Sequence, residues 1–295
     1  MINYSIKDLE QMTGIKAHTI RIWEQRFQFL QPNRSATNIR SYDATQLKLI
    51  LNIALLRNHG IKISEIAQYS NQQIQAKVSD ISNQKLNYPD QIQALTTSML
   101  DFDEDRFEAI LNENISKFGF ENVMVHIIYP FLSKIGILWL TGSIGPAQEH
   151  FMVNLIRQKI IVAIDALPRK PIVNHKTFLL YLPEGEFHEI GLLFAQYIFQ
   201  VKGHKVIYLG QSLPFADLVF THNTSNPDFI FTIITSSPNS DNIQEYLDNM
   251  NDKFPKTSIF MTGYQLTNNN NLEIPKNITV ISKIEELQKI VGWIS

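Results

Sequence analysis

FLLYLPEGEFHEIGLL, the sequence of residues 178–193, decides the fold of the C-terminal part of the chain. Its first five residues are apolar and predict a buried strand, and the loop after them leads into an apolar helix. Further strands are predicted at 205–209, 229–235, 258–261 and 278–281, and helices at about 189–201, 214–220, 241–250 and 284–293. This alternation predicts a doubly wound parallel sheet over residues 171–295. Ligands of such sheets bind at the carboxyl ends of the strands, so the loop 183–191 is the first candidate site.

A purely helical region precedes the sheet. Its predicted helices lie at about 90–100, 103–118, 121–140 and 146–167. Their short connections favour antiparallel neighbours, and we expect a small four-helix bundle over residues 90–170. Residues 71–90, which are rich in Gln, Asn and Ser, are predicted to be a linker or a fraying helix, with the linker placed at 76–89.

Residues 1–75 predict a small DNA-binding fold. Ser5 is a suitable N-cap for a short helix that closes at Thr13-Gly14, and a second helix follows at about 17–27. Two short helices joined by a turn that contains glycine form a helix-turn-helix. The polar stretch Pro32–Tyr42, with its turn formers and arginines, predicts a basic wing. We therefore expect an all-α winged helix-turn-helix here.

The distribution of charge supports a nucleic-acid partner at this end. The 295 residues carry a net charge of −2, yet residues 1–60 hold eight Lys or Arg against four Asp or Glu, a net of +4 that leaves −6 for the rest. The chain has no cysteine, which excludes disulfides and thiolate metal sites and favours a reducing compartment. It begins with a polar segment and contains no run of about 18 apolar residues, so we expect a cytoplasmic protein that does not enter a membrane.

The stretch Thr19–Phe27, followed by Arg34 and Arg40-Ser41-Tyr42, resembles the head of MerR-family regulators. The resemblance implies that the second helix enters the major groove of double-stranded operator DNA and that the wing holds the backbone. The DNA-binding candidates are Thr19, Arg21, Arg26, Arg34, Arg40 and Tyr42. Guanidinium groups bind phosphate or guanine edges bidentately, and a tyrosine hydroxyl donates to phosphate. In the alternative interpretation Trp23 and Phe27 are core residues, which we accept, and the arginines are a solvated face.

The array Glu186-x-His188-x-x-Gly191 resembles the cobalamin-binding signature, normally Asp-x-His-x-x-Gly. A neutral imidazole is a good ligand for cobalt, and a carboxylate two residues earlier can accept its other N–H and fix the tautomer. The resemblance makes His188 the lower axial ligand of cobalt and the sheet a flavodoxin-like (Rossmann-type) cobalamin-binding domain. Thr235, Ser236 and Gly263 stand where such domains line the nucleotide tail. The alternative is that His188 is a solvated loop residue or a helix cap.

Trp139, followed after nine residues by Glu149-His150, resembles the Trp-x9-Glu-His array of the CarH and LitR group of MerR-family photoreceptors. The resemblance implies that these residues cap the upper face of the corrin, with adenosylcobalamin as the cofactor. Leu140 departs from the group, because a second histidine stands there in these photoreceptors and a leucine has no lone pair for cobalt. The alternative is that Trp139 is core and that Glu149 offsets the positive end of its helix.

Together these patterns predict a multi-domain regulator of transcription, most simply a repressor, and not an enzyme. We expect a homo-oligomer, a dimer or a tetramer, on a palindromic operator. One alternative is a regulator that keeps the fold, does not use cobalamin and responds to a protein or another ligand. The other is a cobalamin-dependent methyl-transfer or mutase component, which leaves the basic head unexplained and has no room for a substrate barrel.

Overall fold

The chain forms two compact units, Met1–Leu155 and Ile156–Ser295. The computed structural model describes residues 4–27, 30–34, 39–82, 88–140, 142–168, 175–236, 243–269, 271–283 and 286–287.

The predicted pair of short helices opens the first unit. Helix α1 spans Ile6–Thr13 and helix α2 spans Ala17–Phe27. The Ser5 side chain accepts a hydrogen bond from the Asp8 amide, and the Asp8 carboxylate accepts one from the Ser5 amide at 2.7 Å, which forms a capping box. Gly14, with φ of 74°, ends α1 in the left-handed conformation that favours glycine. The helix-turn-helix therefore follows from local sequence signals.

A short hairpin follows at the place of the predicted wing. Strands β1 (Asn33–Arg34) and β2 (Arg40–Ser41) pair in antiparallel fashion. An isolated bridge joins Tyr4 to Tyr42 and connects the base of the hairpin to the start of the chain. The tip of the predicted wing, residues 35–38, lies outside the described residues.

The segment predicted as a linker begins as a helix. Helices α3 (Ala44–Asn58), α4 (Ile63–Ile66) and α5 (Asn71–Ser82) follow the hairpin. Ile74 and Val78 of α5 are buried, and α5 packs against α3. Two apolar residues one helical turn apart can dock an otherwise polar helix, and of the two alternatives, a linker or a fraying helix, the chain is helical as far as Ser82.

The next helices agree closely with the predicted helical segments. They are α6 (Tyr88–Asp101), α7 (Glu104–Phe118), α8 (Phe120–Val123), a π turn (Met124–Ile128), α9 (Tyr129–Leu140) and α10 (Pro146–Asp165). In the π turn the Tyr129 N–H donates to the Met124 carbonyl, five residues back. Pro130 follows at once and has no N–H to donate, so a widened turn relieves the clash that a proline makes inside a regular helix.

One stretch qualifies by composition as a possible membrane span, contrary to expectation. Phe120–Trp139 has a mean hydropathy of 1.3 over its most apolar window. Its inward face is packed in the first unit, where Ile127, Phe131 and Leu138 are buried. A core helix has the same composition, and the packing favours that interpretation.

The second unit is a five-stranded sheet with helices. Its elements are β3 (Thr177–Pro183), α11 (Glu189–Val201), β4 (Lys205–Leu213), α12 (Phe215–Ser225), β5 (Phe229–Ile233), α13 (Ile243–Lys253), β6 (Ser258–Thr262), α14 (Tyr264–Thr267) and β7 (Ile278–Val280). All strand pairs are parallel, in the order β4-β3-β5-β6-β7. Counted from the first strand, this is 2-1-3-4-5, the flavodoxin-like order, as predicted. The predicted helix at 284–293 lies almost entirely outside the described residues.

Candidate functional site

The loop that follows β3 holds an imidazole against a buried carboxylate. Glu186 is 1% exposed, whereas the side chain of His188 is 62% exposed. His188 Nδ1 lies 2.5 Å from Glu186 Oε1. With the carboxylate ionised, this contact selects the tautomer that carries its proton on Nδ1, which leaves the lone pair on Nε2. The arrangement suits a histidine that binds a metal through Nε2.

Glu186 is also the anchor of the surrounding backbone. Its Oε1 accepts the amides of Phe187 at 2.9 Å and His188 at 3.0 Å, and its Oε2 accepts the amides of Thr235 and Ser236, each at 2.7 Å. Ser236 Oγ donates to the same oxygen at 3.1 Å. Burial alone would raise the pKa of Glu186, but hydrogen bonds from His188, Ser236 and Thr235 outweigh it and lower the pKa from 4.5 to about 2. The carboxylate therefore stays ionised at neutral pH.

The two glycines of the predicted site lie at points of close packing. A Cβ added to Gly191 would meet Ile233 Cδ1 at 2.7 Å, where α11 crosses β5. A Cβ added to Gly263 would lie 2.2 Å from the Ile234 carbonyl oxygen, and Gly263 has φ of 117°. Thr235 and Ser236 likewise face Glu186. The structure thus gives these four residues contacts within the domain.

A second buried carboxylate stands beside His188 and was missed by sequence reasoning. Glu189, the first residue of α11, accepts Arg157 Nε at 2.8 Å, Tyr208 Oη at 2.9 Å and Gln211 Nε2 at 3.1 Å. Burial and the Glu189 charge raise the pKa of Tyr208. Gly210 is the sequence signal that could have indicated the contact of Gln211 with Glu189, since a glycine inside a strand often marks a bulge that redirects the following side chains.

The predicted cap residues lie at one end of a helical hairpin in the first unit. Trp139 stands at the end of α9 and is 50% exposed, which does not fit a core residue. The turn is closed by Gly142 N–H donating to the Trp139 carbonyl at 2.9 Å. Glu149 lies in the first turn of α10, where it also offsets the helix dipole, and His150 beside it is exposed. The Leu140 side chain lies outside what the structure describes.

The proposed DNA-reading face is exposed in the first unit. Arg21 and Arg26 lie on the outer side of α2, Arg34 is exposed on β1, and Thr19 is half-buried. Trp23 is 5% exposed and packs in the core, as predicted. The structure therefore leaves three of the predicted arginines accessible.

The prediction that the Tyr42 hydroxyl donates to phosphate is wrong. Its side chain is fully buried and its hydroxyl donates to Glu24, so it does not reach toward phosphate. Burial and the hydrogen bond from Tyr42 to Glu24 raise the pKa of Tyr42. Arg40 donates from Nε to the other oxygen of Glu24 at 3.0 Å. Glu24 thus joins the hairpin to α2. The sequence signal for this contact is that Glu24 is an acidic residue in an otherwise basic helix.

Polar contacts also join the helix-turn-helix to the neighbouring helices of the first unit. Lys134 Nζ on α9 donates to the Met12 carbonyl at the end of α1 at 2.8 Å, and Ser143 in the α9–α10 turn donates to Asp8 at its start. His59 lies 2.9 Å from Asp90. These contacts use α1 and the end of α3, and they leave the exposed face of α2 uncovered.

No group of three or more His, Cys, Asp or Glu side chains able to hold a metal ion occurs among the described residues.

Comparison with known proteins supports both halves of this description. Residues 4–73 match the model for the MerR HTH family regulatory protein, and residues 91–163 match the B12 binding domain. The chain is 25% identical over 259 residues to the HTH-type transcriptional repressor CarH of Myxococcus xanthus, covering 86% of each chain. It is 26% identical over 227 residues to CarA, another HTH-type transcriptional repressor of that organism, covering 76% of this chain and 74% of CarA. The chain is homologous to these two repressors.

The fold of this repressor homologue has a counterpart among solved structures. The monomethylamine corrinoid protein of Methanosarcina barkeri aligns with a TM-score of 0.52 at 11% identity, covering 77% of this chain and 100% of that one. At this identity the likeness concerns the fold, which combines helices with a parallel sheet.

Proposed function

We propose that this chain is a DNA-binding transcriptional repressor controlled by cobalamin, with His188 as the lower ligand of cobalt. The observation that carries the proposal is the buried, ionised Glu186 that holds His188 Nδ1 at 2.5 Å. Carboxylates in this position orient a ligating histidine and raise its basicity. Bound cobalamin supplies a cobalt centre that takes an imidazole nitrogen on one side and an exchangeable group on the other.

We also assign Trp139, Glu149 and His150 as residues that would hold the exchangeable group of cobalamin. The exposed indole of Trp139 offers an apolar surface to an adenosyl group, and the polar pair offers hydrogen-bond partners to its sugar or base. This assignment favours adenosylcobalamin, and with it a response to light. Because Leu140 has no lone pair, we expect no second protein nitrogen on cobalt after illumination. A bis-imidazole spectrum from the unmodified, illuminated protein would contradict this expectation.

The basic end supplies the binding of operator DNA. Arg21 and Arg26 of α2 are exposed, and Arg34 with the hairpin β1–β2 serves as the wing. We propose a homo-oligomer on a palindromic site, acting in the cytoplasm. Similarity to two named repressors and the match of residues 4–73 to a regulator family support a regulator over an enzyme.

Binding of cobalamin to the full chain in the dark tests the cofactor assignment. We expect adenosylcobalamin to bind the wild type with a base-off, histidine-ligated absorption spectrum, and His188→Ala to lose that spectrum. His175→Ala is the matched control, because His175 is an exposed histidine of the same domain just before β3. An unchanged spectrum for His188→Ala would remove it as the ligand.

Binding to DNA tests the regulatory assignment. A duplex selected by the full chain from a random library is titrated with apoprotein and with adenosylcobalamin-loaded protein, in the dark and after illumination. We expect the affinity to depend on the cofactor. Equal affinity in all states would favour the second candidate, a regulator that keeps the fold without using cobalamin.

A further inference from the structure

The end of β4 departs from regular strand geometry beside the His188 loop. The register of β4 against β3 shifts at Tyr181 and again before Pro183. Gly210 has φ of 77°, and Ser212 has φ of 49° although it is not glycine. A left-handed non-glycine residue costs roughly 1 kcal/mol or more and persists only where surrounding contacts hold it. The contacts that hold Ser212 therefore indicate what the distortion achieves.

Ser212 is bonded to the loop through both its side chain and its backbone. Its Oγ accepts the Gly185 amide at 3.1 Å, and its own N–H donates to the Glu186 carbonyl at 3.2 Å. The left-handed conformation turns both groups toward the loop. Ser212 thus fixes the backbone of the residue that anchors His188.

Gln211 holds the other side of the same loop. Its Nε2 donates to the Phe187 carbonyl at 3.3 Å and to Glu189 Oε2 at 3.1 Å. Residues 185, 186, 187 and 189 are therefore all tied to the end of β4, and His188 lies among them. The exposed imidazole is carried on a backbone that is fixed on both sides.

We propose that Gln211 and Ser212 are positioning residues that present His188 to cobalt. This inference rests on the proposed function. Loss of the groups that hold a metal ligand in place typically lowers metal affinity about 10-fold to 100-fold, because the ligand must then be ordered at the time of binding. The hydrogen bonds of Ser212 and Gln211 hold the loop in place before the cofactor binds, so the loop does not have to be ordered on binding.

Two variants of Ser212 separate the hydrogen bond from the strain. Ser212→Ala removes Oγ and keeps the strained backbone, whereas Ser212→Gly removes Oγ and relieves the strain. Both leave the Gly185 amide without its acceptor. We expect both full-length variants to bind adenosylcobalamin about 10-fold more weakly than the wild type, with a smaller histidine-ligated fraction. Because Ser212→Gly is unstrained, weaker binding by that variant cannot be attributed to misfolding of the strand end.

Hydrogen exchange in the cofactor-free protein gives a readout independent of cobalamin. The Gly185 amide should exchange about 10-fold faster in both variants, since each lost hydrogen bond is worth about 1 kcal/mol or more. Ser225→Ala is the control, because the Ser225 Oγ donates to the Thr221 carbonyl within α12 of the same domain. The control should match the wild type in both measurements.

The outcomes distinguish this inference from the proposed function. Wild-type affinity and spectrum in both Ser212 variants, with normal binding by the wild type, overturn the positioning role alone. Absence of cobalamin binding by the wild type overturns the proposed function and, with it, the presentation of a cobalt ligand. Faster exchange at Gly185 together with weaker cobalamin binding supports the positioning role.

Discussion

Two buried carboxylates, Glu24 in the DNA-binding end and Glu186 in the α/β unit, organise the two functional regions in different ways. Glu24 accepts hydrogen bonds from the side chains of Arg40 and Tyr42. Glu186 accepts four backbone amides, one serine hydroxyl and one imidazole. The negative charge of Glu24 is balanced by the guanidinium of Arg40, which is always charged. The negative charge of Glu186 is stabilised mainly by the dipoles of backbone amides.

This difference matches the two proposed tasks, binding of DNA by the basic end and binding of cobalt by His188. A DNA-binding surface needs its cations at fixed places, and Glu24 achieves this by joining α2 to the hairpin that carries Arg40. A histidine that binds a metal must keep one tautomer and one orientation of its ring. The Glu186 carboxylate sets both for His188, and the surrounding backbone amides hold that carboxylate in place. Loss of Glu24 should therefore disturb a surface, and loss of Glu186 should disturb a local fold.

The largest expected effect comes from Glu186→Gln. The glutamine amide would direct N–H groups at backbone N–H donors, so the free energy of unfolding at pH 7 should fall by about 3 kcal/mol. The folded-state pKa of Glu186, about 2, lies below its usual 4.5, so the stability due to ionisation is present above pH 4.5. It is lost as the pH falls from 4.5 toward 2. Urea unfolding of both proteins, followed by circular dichroism across this range, measures the difference.

Glu184→Gln is the matched control, because Glu184 is exposed in the same loop. It should unfold like the wild type at each pH. A constant difference between Glu186→Gln and the wild type from pH 7 to pH 2 would contradict the assigned ionisation.

Glu24→Gln should have a smaller effect on stability and a direct effect on DNA. Losing the charge leaves Arg40 without its buried anion, which should cost about 2 kcal/mol of unfolding free energy and loosen the hairpin. Affinity for the selected duplex should fall about 10-fold, while the cobalamin spectrum stays unchanged. Glu104→Gln, an exposed acid of α7, is the control. Normal DNA affinity with a destabilised fold would show that the hairpin does not contribute to binding.

Arg21→Ala tests whether the surface itself reads phosphate. Removing one phosphate contact should reduce the slope of log affinity against log salt by about 1 and weaken binding at low salt. Lys117→Ala removes the same charge from α7 and should leave the slope unchanged. Equal slopes for Arg21→Ala and the wild type would remove Arg21 from the interface.

The last prediction concerns Lys134 and alkaline pH. Burial lowers the pKa of Lys134 from 10.5 to about 8, so between these values the unfolded chain holds a proton that the folded chain has released. Stability of the wild type should therefore gain from this group as the pH rises from 8 to 10.5. Lys134→Met should lack that gain in thermal unfolding, and Lys117→Met should retain it. Parallel curves for Lys134→Met and the wild type would disprove the shift.

The fold was predictable because its signals are local. Apolar runs bounded by turn residues marked β3 and the following strands, and capping residues such as Ser5 marked helix starts. For helix α5 the sequence left a linker and a fraying helix open, because two apolar residues such as Ile74 and Val78 in a polar segment give no clear period. Its stability comes from packing on α3, which the local pattern does not reveal.

The site was only partly predictable for a related reason. Glu186 and His188 are two residues apart, so their pairing could be inferred from spacing. Ser236 lies 50 residues from Glu186, and Tyr42 lies 18 residues from Glu24. These pairings depend on the strand order and on the hairpin, which the local sequence does not reveal. For this reason Tyr42 was predicted to donate to phosphate, whereas it is part of the core.

The π turn at Met124–Ile128 sets the direction in which the end of helix α9 faces. It accommodates one extra residue, and each residue of a regular helix turns the chain by about 100°. Trp139 therefore faces about a quarter turn away from the direction that an uninterrupted helix would give it. In evolutionary terms, a residue inserted into a regular helix and accommodated by such a turn leaves the end of the hairpin facing as before, whereas the same insertion without the turn would rotate that end by about 100°.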